Sequence, residues 1–184
     1  MFEGIILAGG YSSRFEQNKM CVWFNGKPLI LHTIETMLKV CKKVYVVTGY
    51  YHKEISGVLA GIDNVEIVYN KSFDEGMFSS VKAGVRHVKH DFFIIPGDYP
   101  LVEESTYKII ISGHKTLRVP SYNHRLGHPL FMKYELKEDL IFSYAKSLKE
   151  FRNLYDYEIV EVDDKYIHVD IDTIQDFNKI NRKE

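Results

Sequence analysis

The chain has 184 residues, a formal net charge of -1 at pH 7 and no segment in which Lys and Arg concentrate. This length suits a domain with a full hydrophobic core, and the near-neutral charge argues against an enzyme that grips long nucleic acid. The opening residues lack a basic leader, and no run approaches the ~20 apolar residues that span a bilayer. We therefore expect a cytoplasmic protein without a membrane segment, whose two cysteines, Cys21 and Cys41, are reduced thiols.

Apolar bursts alternate with amphipathic stretches as far as Ser112. Runs buried on both faces and separated by helices are typical of parallel β-α-β units, whose right-handed crossovers place helices on both faces of a sheet. We therefore predict one α/β domain over residues 1–184, Rossmann-like, with three α/β/α layers and a mostly parallel, twisted sheet. Strands are predicted at 4–8, 44–47, 65–69 and 92–95, and helices at 28–40, 52–59, 77–88 and 103–112.

The pattern loosens after Ser112. Two strands are predicted around a polar loop, followed by one long helix, a hairpin that turns at Asp163-Asp164, and a closing helix. The predicted strands are 117–122 and 129–133, the long helix is 134–152, the hairpin strands are 157–162 and 166–169, and the closing helix is 173–180.

The loop after the first predicted strand reads LAGGYSSRF over residues 7–15. Its paired glycines allow backbone N–H groups to approach a ligand, and its serines add hydroxyl donors. Arg14 and Lys19 can neutralise a polyphosphate, and we expect Lys19 to pack little because the loop is polar. The alternative is a plain glycine turn with two solvated cations. The combination of strand, glycines, serines and cations favours a binding function.

Carboxylates follow two other predicted strands. Asp98 comes after a very apolar strand, and Asp170 and Asp172 alternate so that both point to one side. Because ligands bind at the carboxyl ends of strands in such sheets, these residues could meet and hold Mg²⁺ against phosphate oxygens. The alternatives are that Asp98 only caps a turn and that Asp172 begins the last helix.

Two further segments carry polar groups at positions suited to a ligand. Residues 74–80 lead into a helix whose exposed amides favour an anion or a base edge, although Ser79 or Ser80 could instead cap the helix. His128 lies between a glycine and a proline that fix the local backbone. A lone histidine is usually structural or exposed, and the remaining histidines show no metal-binding spacing.

In order, the segments read LAGGxSxRFxxxK (7–19), GKPL (26–29), GMxxSxxxG (76–84), GDxPL (97–101), GHP (127–129) and DIDT (170–173). Together they resemble the molybdenum cofactor nucleotidyltransferases and their sugar-nucleotide relatives over essentially the full length. The last four resemble the cytidylyltransferase branch in particular. Three features depart from these patterns. Glu16 stands where the family usually has Gly, and Ala8-Gly9-Gly10 is more usual in the guanylyl branch. Tyr99 also stands where the cytidylyl branch often has Gln.

The resemblance implies that a phosphate on the acceptor attacks the α-phosphorus of a nucleotide and that pyrophosphate is released, with Mg²⁺ as cofactor. Positioning and charge stabilisation would then supply the catalysis. It implies catalytic roles for Arg14, Lys19 and Asp98 and metal ligation by Asp98 and Asp172. It implies nucleotide binding by Leu7, Ala8, Gly9, Gly10, Ser12, Lys19, Ser80 and Gly97. It implies acceptor binding by Gly76, Met77, Ser79 and His128.

The acceptor implied is molybdenum-loaded molybdopterin, a phosphorylated pterin, with CTP as the favoured nucleotide and a molybdoenzyme as the receiver of the product. No nucleic acid and no membrane is expected as a partner. Guanylyl transfer, a sugar or alcohol phosphate acceptor, and a non-catalytic cofactor carrier or chaperone stay open. Gly9 is expected to leave room for a purine, so Gly9→Ala should sharpen a preference for CTP.

Overall fold

The computed structural model describes residues 1–15, 17–173 and 175–177. The strands in these residues are β1 (Phe2–Ala8), β2 (Trp23–Phe24), β3 (Lys27–Pro28), β4 (Lys43–Thr48), β5 (Val65–Tyr69), β6 (Asp91–Pro96), β7 (Leu117–Tyr122), β8 (Arg125–Leu126), β9 (Leu130–Met132) and β10 (Glu158–Glu161). The α-helices are α1 (Leu29–Leu38), α2 (His52–Leu59), α3 (Met77–Val85), α4 (Glu104–Ile111), α5 (Lys137–Phe142) and α6 (Leu148–Arg152). Short 3₁₀ helices include Lys19–Cys21 and Lys165–His168.

The main sheet has the strand order β10-β7-β9-β6-β1-β4-β5, with β8 paired to β7. Strand β1 pairs in parallel with β4 and β6, and β4 pairs in parallel with β5. Strand β9 is antiparallel to both of its neighbours. The prediction of a mostly parallel Rossmann-like sheet is therefore confirmed.

Helices pack on both faces of the sheet because consecutive strand side chains point to opposite faces. Ile5 belongs to a buried cluster with residues of α3, α5 and α6. Ile6 belongs to a second cluster with residues of α1, α2 and α4. Both isoleucines are completely buried, so the two cores hold the helices against the sheet as three layers.

The chain reverses its direction of travel across the sheet beside β1. It passes from β1 outward to β4 and β5 and then returns to β6 on the other side of β1. The carboxyl ends of β1 and β6 thus form the topological switch point, where open α/β sheets bind their ligands. Gly9 and Gly97 are the first residues after these two strands.

The predicted long helix at 134–152 is wrong. Helix α5 ends at Phe142. Ser143 leaves the helical conformation, its hydroxyl accepts a hydrogen bond from the Ala145 amide at 3.1 Å, and its carbonyl oxygen accepts one from Lys82 Nζ at 2.6 Å. Helix α6 begins only after Ser147, whose hydroxyl accepts from the Glu150 amide. Serine side chains that bond nearby backbone groups compete with helical hydrogen bonding and so divide the segment.

The predicted hairpin at 157–169 is also wrong. Strand β10 pairs in parallel with β7, and residues 165–168 form a 3₁₀ helix. Asp164 does not turn a hairpin: its buried carboxylate accepts from Tyr166 N and also from Glu103 N and Thr106 Oγ1. Of the predicted closing helix at 173–180, residues 174 and 178–180 lie outside the described residues, whereas residues 175–177 are helical. Within the part of the chain that the structure describes, no helix combines the length and apolar character needed to cross a bilayer.

Two glycines in helices test the packing of this fold. A Cβ on Gly84 would lie 2.6 Å from Ile5 Cγ2 and 2.8 Å from Val47 Cγ2, whereas a Cβ on Gly57 would meet nothing within 4 Å. Gly84→Ala is expected to lower the free energy of unfolding by about 1–3 kcal/mol through overpacking. Gly57→Ala, the control, is expected to raise it by up to ~1 kcal/mol. Urea denaturation of both variants would measure this, and equal effects would contradict the close packing of α3 on β1.

Candidate active site

The loop after β1 curls back on itself and places Lys19 at the switch point. The Phe15 amide donates to the Ser12 carbonyl oxygen at 2.8 Å, and Ser12 has a positive φ of 50°. The Lys19 amide donates to Ser12 Oγ at 3.3 Å, and Asn18 caps the short helix that Lys19 begins. The loop is therefore tied at both ends, while Glu16 lies outside the described residues.

Lys19 joins two carboxylates that are far apart in the sequence. Its Nζ lies 2.5 Å from Asp98 Oδ2 and 2.9 Å from Asp172 Oδ1, and Arg14 forms a second ion pair with Asp172. Lys19 is 8% exposed and Asp98 is 9% exposed. The expectation that Lys19 packs little is therefore wrong, because the carboxylates compensate its charge and allow its burial.

The ion pairs shift the ionisation of this cluster. Burial by itself lowers the pKa of Lys19, but Asp98 and Asp172 outweigh it, so its pKa lies above the ordinary value. Burial raises the pKa of Asp172, whereas the stronger combined effect of Lys19 and Arg14 lowers it overall. Burial and the neighbouring Asp98 raise the pKa of Asp170. Lys19 is thus firmly cationic and Asp172 firmly anionic near neutral pH.

Backbone and apolar contacts bring the last carboxylates to the site. The Ile171 amide donates to the Asp98 carbonyl oxygen at 2.9 Å. The Ile171 side chain is completely buried in a cluster with Phe15, Phe24 and Leu29. One residue therefore anchors the segment 170–172 both to the strand end after β6 and to the first loop.

The carboxylates fit a divalent cation. One oxygen from each of Asp98, Asp170 and Asp172 lies within 4.8 Å of the others. Asp98 Oδ1 is buried and has no hydrogen-bond partner among the described residues. A buried carboxylate oxygen needs compensation, and Mg²⁺ and related hard cations prefer oxygen ligands. A divalent cation held by the three carboxylates would supply that compensation, with Asp170 in addition to the two ligands that the family resemblance implies.

Two adjoining cavities flank the first loop. One, of about 320 Å³, lies between the loop and the start of α3, and it shares Gly10 and Lys19 with a smaller one of about 210 Å³. Of the residues that the sequence suggests for the nucleotide, the metal or the acceptor, the larger cavity is lined by Leu7, Gly9, Gly10, Lys19, Gly76, Met77, Ser80 and Asp98. The smaller one is lined by Ala8, Gly10, Ser12, Arg14, Lys19 and Asp172.

Two of the suggested residues do not line a described cavity. The Gly97 amide donates to the Leu7 carbonyl oxygen at 2.9 Å, and a Cβ there would lie 3.0 Å from Met20 Sδ. Ser79 Oγ donates to the carbonyl oxygens of Gly76 and Ser72, both at 2.8 Å. Gly97 thus permits close packing of the loop on the strand end, and Ser79 holds the turn before α3.

A third cavity, of about 360 Å³, contains His128 and shares Leu7 and Met77 with the larger loop cavity. The His128 ring packs edge-on against Tyr99, with 5.1 Å between ring centroids. His128 Nδ1 is buried without a hydrogen-bond partner among the described residues. Burial, with a smaller effect of Arg152, lowers the pKa of His128 to about 4, so its imidazole is neutral at pH 7.

The sequence reasoning missed the aromatic wall of the loop cavities. Tyr11, in the first loop, lies 4.8 Å from Tyr50 and 5.6 Å from Phe73 between ring centroids, and its hydroxyl donates to Asp74. Tyr11 is 48% exposed and lines both cavities. An aromatic residue inside a Gly/Ser loop was the available signal, since such a side chain has little to pack against in a plain turn.

Solved structures share this fold. A nucleotidyl transferase from Methanothermobacter thermautotrophicus superposes with a TM-score of 0.85 at 20% identity, over 100% of this chain and 97% of that one. Rv0371c of Mycobacterium tuberculosis, solved in complex with manganese, superposes with a TM-score of 0.80 at 18% identity, over 100% and 99% of the two chains. The architecture is thus the Rossmann-like fold of nucleotidyltransferases.

Sequence comparison gives the family. The profile of the MobA-like NTP transferase domain matches residues 4–157. Molybdenum cofactor cytidylyltransferase of Escherichia coli is 30% identical, over 94% of this chain and 92% of its own. A probable molybdenum cofactor guanylyltransferase of Thermococcus sibiricus is 31% identical, over 71% and 67%. The chain belongs to the MobA-like NTP transferase family and is a nucleotidyltransferase.

Proposed function

We propose that residues 1–184 act as one domain that transfers CMP from CTP to the phosphate of molybdenum-loaded molybdopterin and releases pyrophosphate. The product would pass to a molybdoenzyme. We place the enzyme in the cytoplasm, where the free thiols of Cys21 and Cys41 stay reduced. The observation that carries the proposal is the position of Lys19. Its ammonium lies between Asp98 and Asp172, and its side chain lines the two cavities that flank the first loop.

The roles of the residues follow from their positions. The Gly9-Gly10 backbone and Ser12 line the cavities where phosphates would bind. Arg14 and Lys19 line the same space and would stabilise the negative charge that moves to the leaving pyrophosphate. Mg²⁺, when held by Asp98 and Asp172 with Asp170, would neutralise phosphate charge. An acceptor phosphate is already a nucleophile, so the site needs no general base.

The choice of molybdopterin and CTP rests on sequence likeness. The cytidylyltransferase of E. coli aligns over 94% of this chain, whereas the guanylyltransferase of T. sibiricus aligns over 71%. The GMxxS, GHP and DIDT segments support the same choice. The first loop, with Gly9, supports guanylyl transfer instead, and a sugar or alcohol phosphate acceptor is a second alternative within the same reaction class.

A non-catalytic cofactor carrier is the alternative from another class. Such a protein needs a pocket for the pterin but no charge cluster beside it. The buried Lys19–Asp98 pair, with an uncompensated Asp98 oxygen, favours the enzyme because desolvated charges are costly to keep without a use.

The base preference is tested by steady-state kinetics. We expect kcat/KM with CTP to exceed that with GTP by about 10–100-fold, a discrimination of about 1–3 kcal/mol. Purified protein would be assayed for pyrophosphate release with each nucleotide and the same acceptor. A higher kcat/KM with GTP would overturn the cytidylyl assignment and leave the family membership intact.

The structure changes what is expected of Gly9→Ala. A Cβ at Gly9 would lie 2.9 Å from Ser80 Oγ, so the space next to Gly9 is already filled by a hydroxyl that also accepts from Asn70. The methyl group would displace Ser80 before it narrowed the base pocket. We therefore expect Gly9→Ala to raise KM for both nucleotides, and Gly9→Ala combined with Ser80→Ala to recover most of the loss. A rise in KM for GTP alone in the single variant would instead support a direct role of Gly9 in base choice.

A further inference from the structure

The cavity that contains His128 has an unusual charge composition. Its lining includes three side chains that are cationic at pH 7, Arg125, Lys149 and Arg152, and no Asp or Glu among the described residues. The chain as a whole carries slightly more acidic than basic residues. Positive charge is thus concentrated in one concave surface, where the low-dielectric walls strengthen its field.

Helix α6 separates this cavity from a neighbouring one of opposite character. Lys149 and Arg152 are three residues apart, which places them on the same side of the helix, and both line the His128 cavity. Glu150 and Phe151 line the other cavity, of about 760 Å³, which also contains Glu138 and Asp139. The cationic side chains of α6 therefore face the His128 cavity, and its carboxylate, on Glu150, faces the other cavity.

No carboxylate of the described residues forms an ion pair with the cations of the His128 cavity. None of the ion pairs found among the described residues includes Arg125, Lys149 or Arg152. The Arg152 guanidinium packs on the Tyr157 ring, 5.0 Å from its centroid, and donates to Asn153 Oδ1 at 3.4 Å. Because none of the three cations has a carboxylate partner among the described residues, they are available to an anion from outside.

The cavity lies next to the nucleotide side of the site. It shares Leu7, Met77 and Pro96 with the cavity that contains Lys19 and Asp98. The cations lie only on the walls that are not shared. A ligand in the His128 cavity would therefore have one end at the nucleotide and the rest of its surface beside Arg125, Lys149 and Arg152.

We propose that Lys149 and Arg152 are the residues of the His128 cavity that favour an anionic acceptor. They act through the positive field that they add to the cavity and do not bind the reacting phosphate, which must lie at the nucleotide end. This inference rests on the proposed nucleotidyl transfer and adds the residues that recognise its second substrate. A phosphorylated acceptor and a nucleoside triphosphate repel each other, so the acceptor needs compensating charge to approach. The unpartnered His128 Nδ1 offers a neutral polar contact in the same cavity, suited to a heterocycle.

Direct binding tests the proposal without nucleotide and without turnover. Phenyl phosphate would be titrated into ¹⁵N-labelled protein, with benzyl alcohol as an uncharged probe of similar size. We expect phenyl phosphate to shift the amides of residues that line the His128 cavity and benzyl alcohol to shift them far less. Lys149→Gln with Arg152→Gln is expected to weaken phenyl phosphate binding by about tenfold or more. Lys146→Gln with Lys42→Gln, two exposed lysines outside the cavity, should leave it unchanged.

Kinetics then separate this proposal from the proposed function. In an active enzyme, the Lys149/Arg152 variant should raise KM for the acceptor and leave KM for CTP unchanged. Equal phenyl phosphate affinity in the wild type and this variant would overturn the acceptor site. Weakened phenyl phosphate binding in a protein that transfers no nucleotide would support the anion site and reject the reaction. Lys149 is exposed, so Lys149→Gln alone keeps the test valid if the double variant does not fold.

Discussion

Asp98→Asn is expected to lower kcat for nucleotidyl transfer on the order of 10³-fold, because it removes a charged ligand from the only group of three carboxylates that the described residues offer to a metal. The substitution keeps the size of the side chain. Lys19 would remain paired with Asp172, and the charge repulsion between residue 98 and the carboxylates of Asp170 and Asp172 would be removed. These opposing effects should keep the change in unfolding free energy within about 1 kcal/mol.

The measurement is pyrophosphate release over a range of Mg²⁺ concentrations, together with thermal unfolding of the same preparations. Asp63→Asn, which alters an exposed aspartate away from the cluster, is the matched control and should keep full activity. Near-normal turnover of the Asp98 variant at saturating Mg²⁺ would contradict the metal assignment.

Lys19→Ala is expected to reduce kcat by about 10²–10³-fold and also to destabilise the fold. The catalytic loss is expected because the substitution removes a preorganised cation from the cavities that flank the first loop, where the phosphates would bind. The structural loss follows from the burial of Lys19 between Asp98 and Asp172, because its removal leaves neighbouring carboxylates without compensation. We expect a decrease of about 1–3 kcal/mol in unfolding free energy, more than for an exposed lysine.

Denaturant unfolding and single-turnover kinetics on one set of variants would measure both effects. The control is Lys42→Ala, which alters the exposed lysine just before β4, at the end of the sheet opposite to the carboxyl ends of β1 and β6. Unchanged single-turnover rates combined with a large drop in stability would show that Lys19 has only a structural role.

The sheet could be predicted from sequence because its signals are local. Strands β1 and β6 contain continuous apolar runs at 4–8 and 92–95, and helices such as α1 and α3 show their apolar face at the helical period. The region 134–169 could not be predicted in the same way. There, Ser147 and Asp164 end or begin elements through side-chain hydrogen bonds whose partners depend on the tertiary fold.

The proximity of Asp98 to Asp170 and Asp172 could be predicted because the carboxyl ends of parallel strands lie at one edge of a sheet. The strand predicted just before Asp170 is, however, a 3₁₀ helix over residues 165–168. The burial of Lys19 could not be predicted, because the charges that compensate it, on Asp98 and Asp172, lie 79 and 153 residues away in the sequence. The cationic wall of the His128 cavity was equally hidden. Lys149 and Arg125 reach it from a helix and a short strand that are distant in the chain.

The proposed nucleotidyl transfer to molybdenum-loaded molybdopterin is tested by pyrophosphate release from CTP by the purified protein, with Mg²⁺, in the presence and absence of that acceptor. We expect release that depends on the acceptor, with formation of a cytosine dinucleotide cofactor detected by mass spectrometry. Sugar or alcohol phosphates should give no comparable release. Binding of the pterin without any pyrophosphate release, from CTP or from GTP, would contradict the proposed reaction.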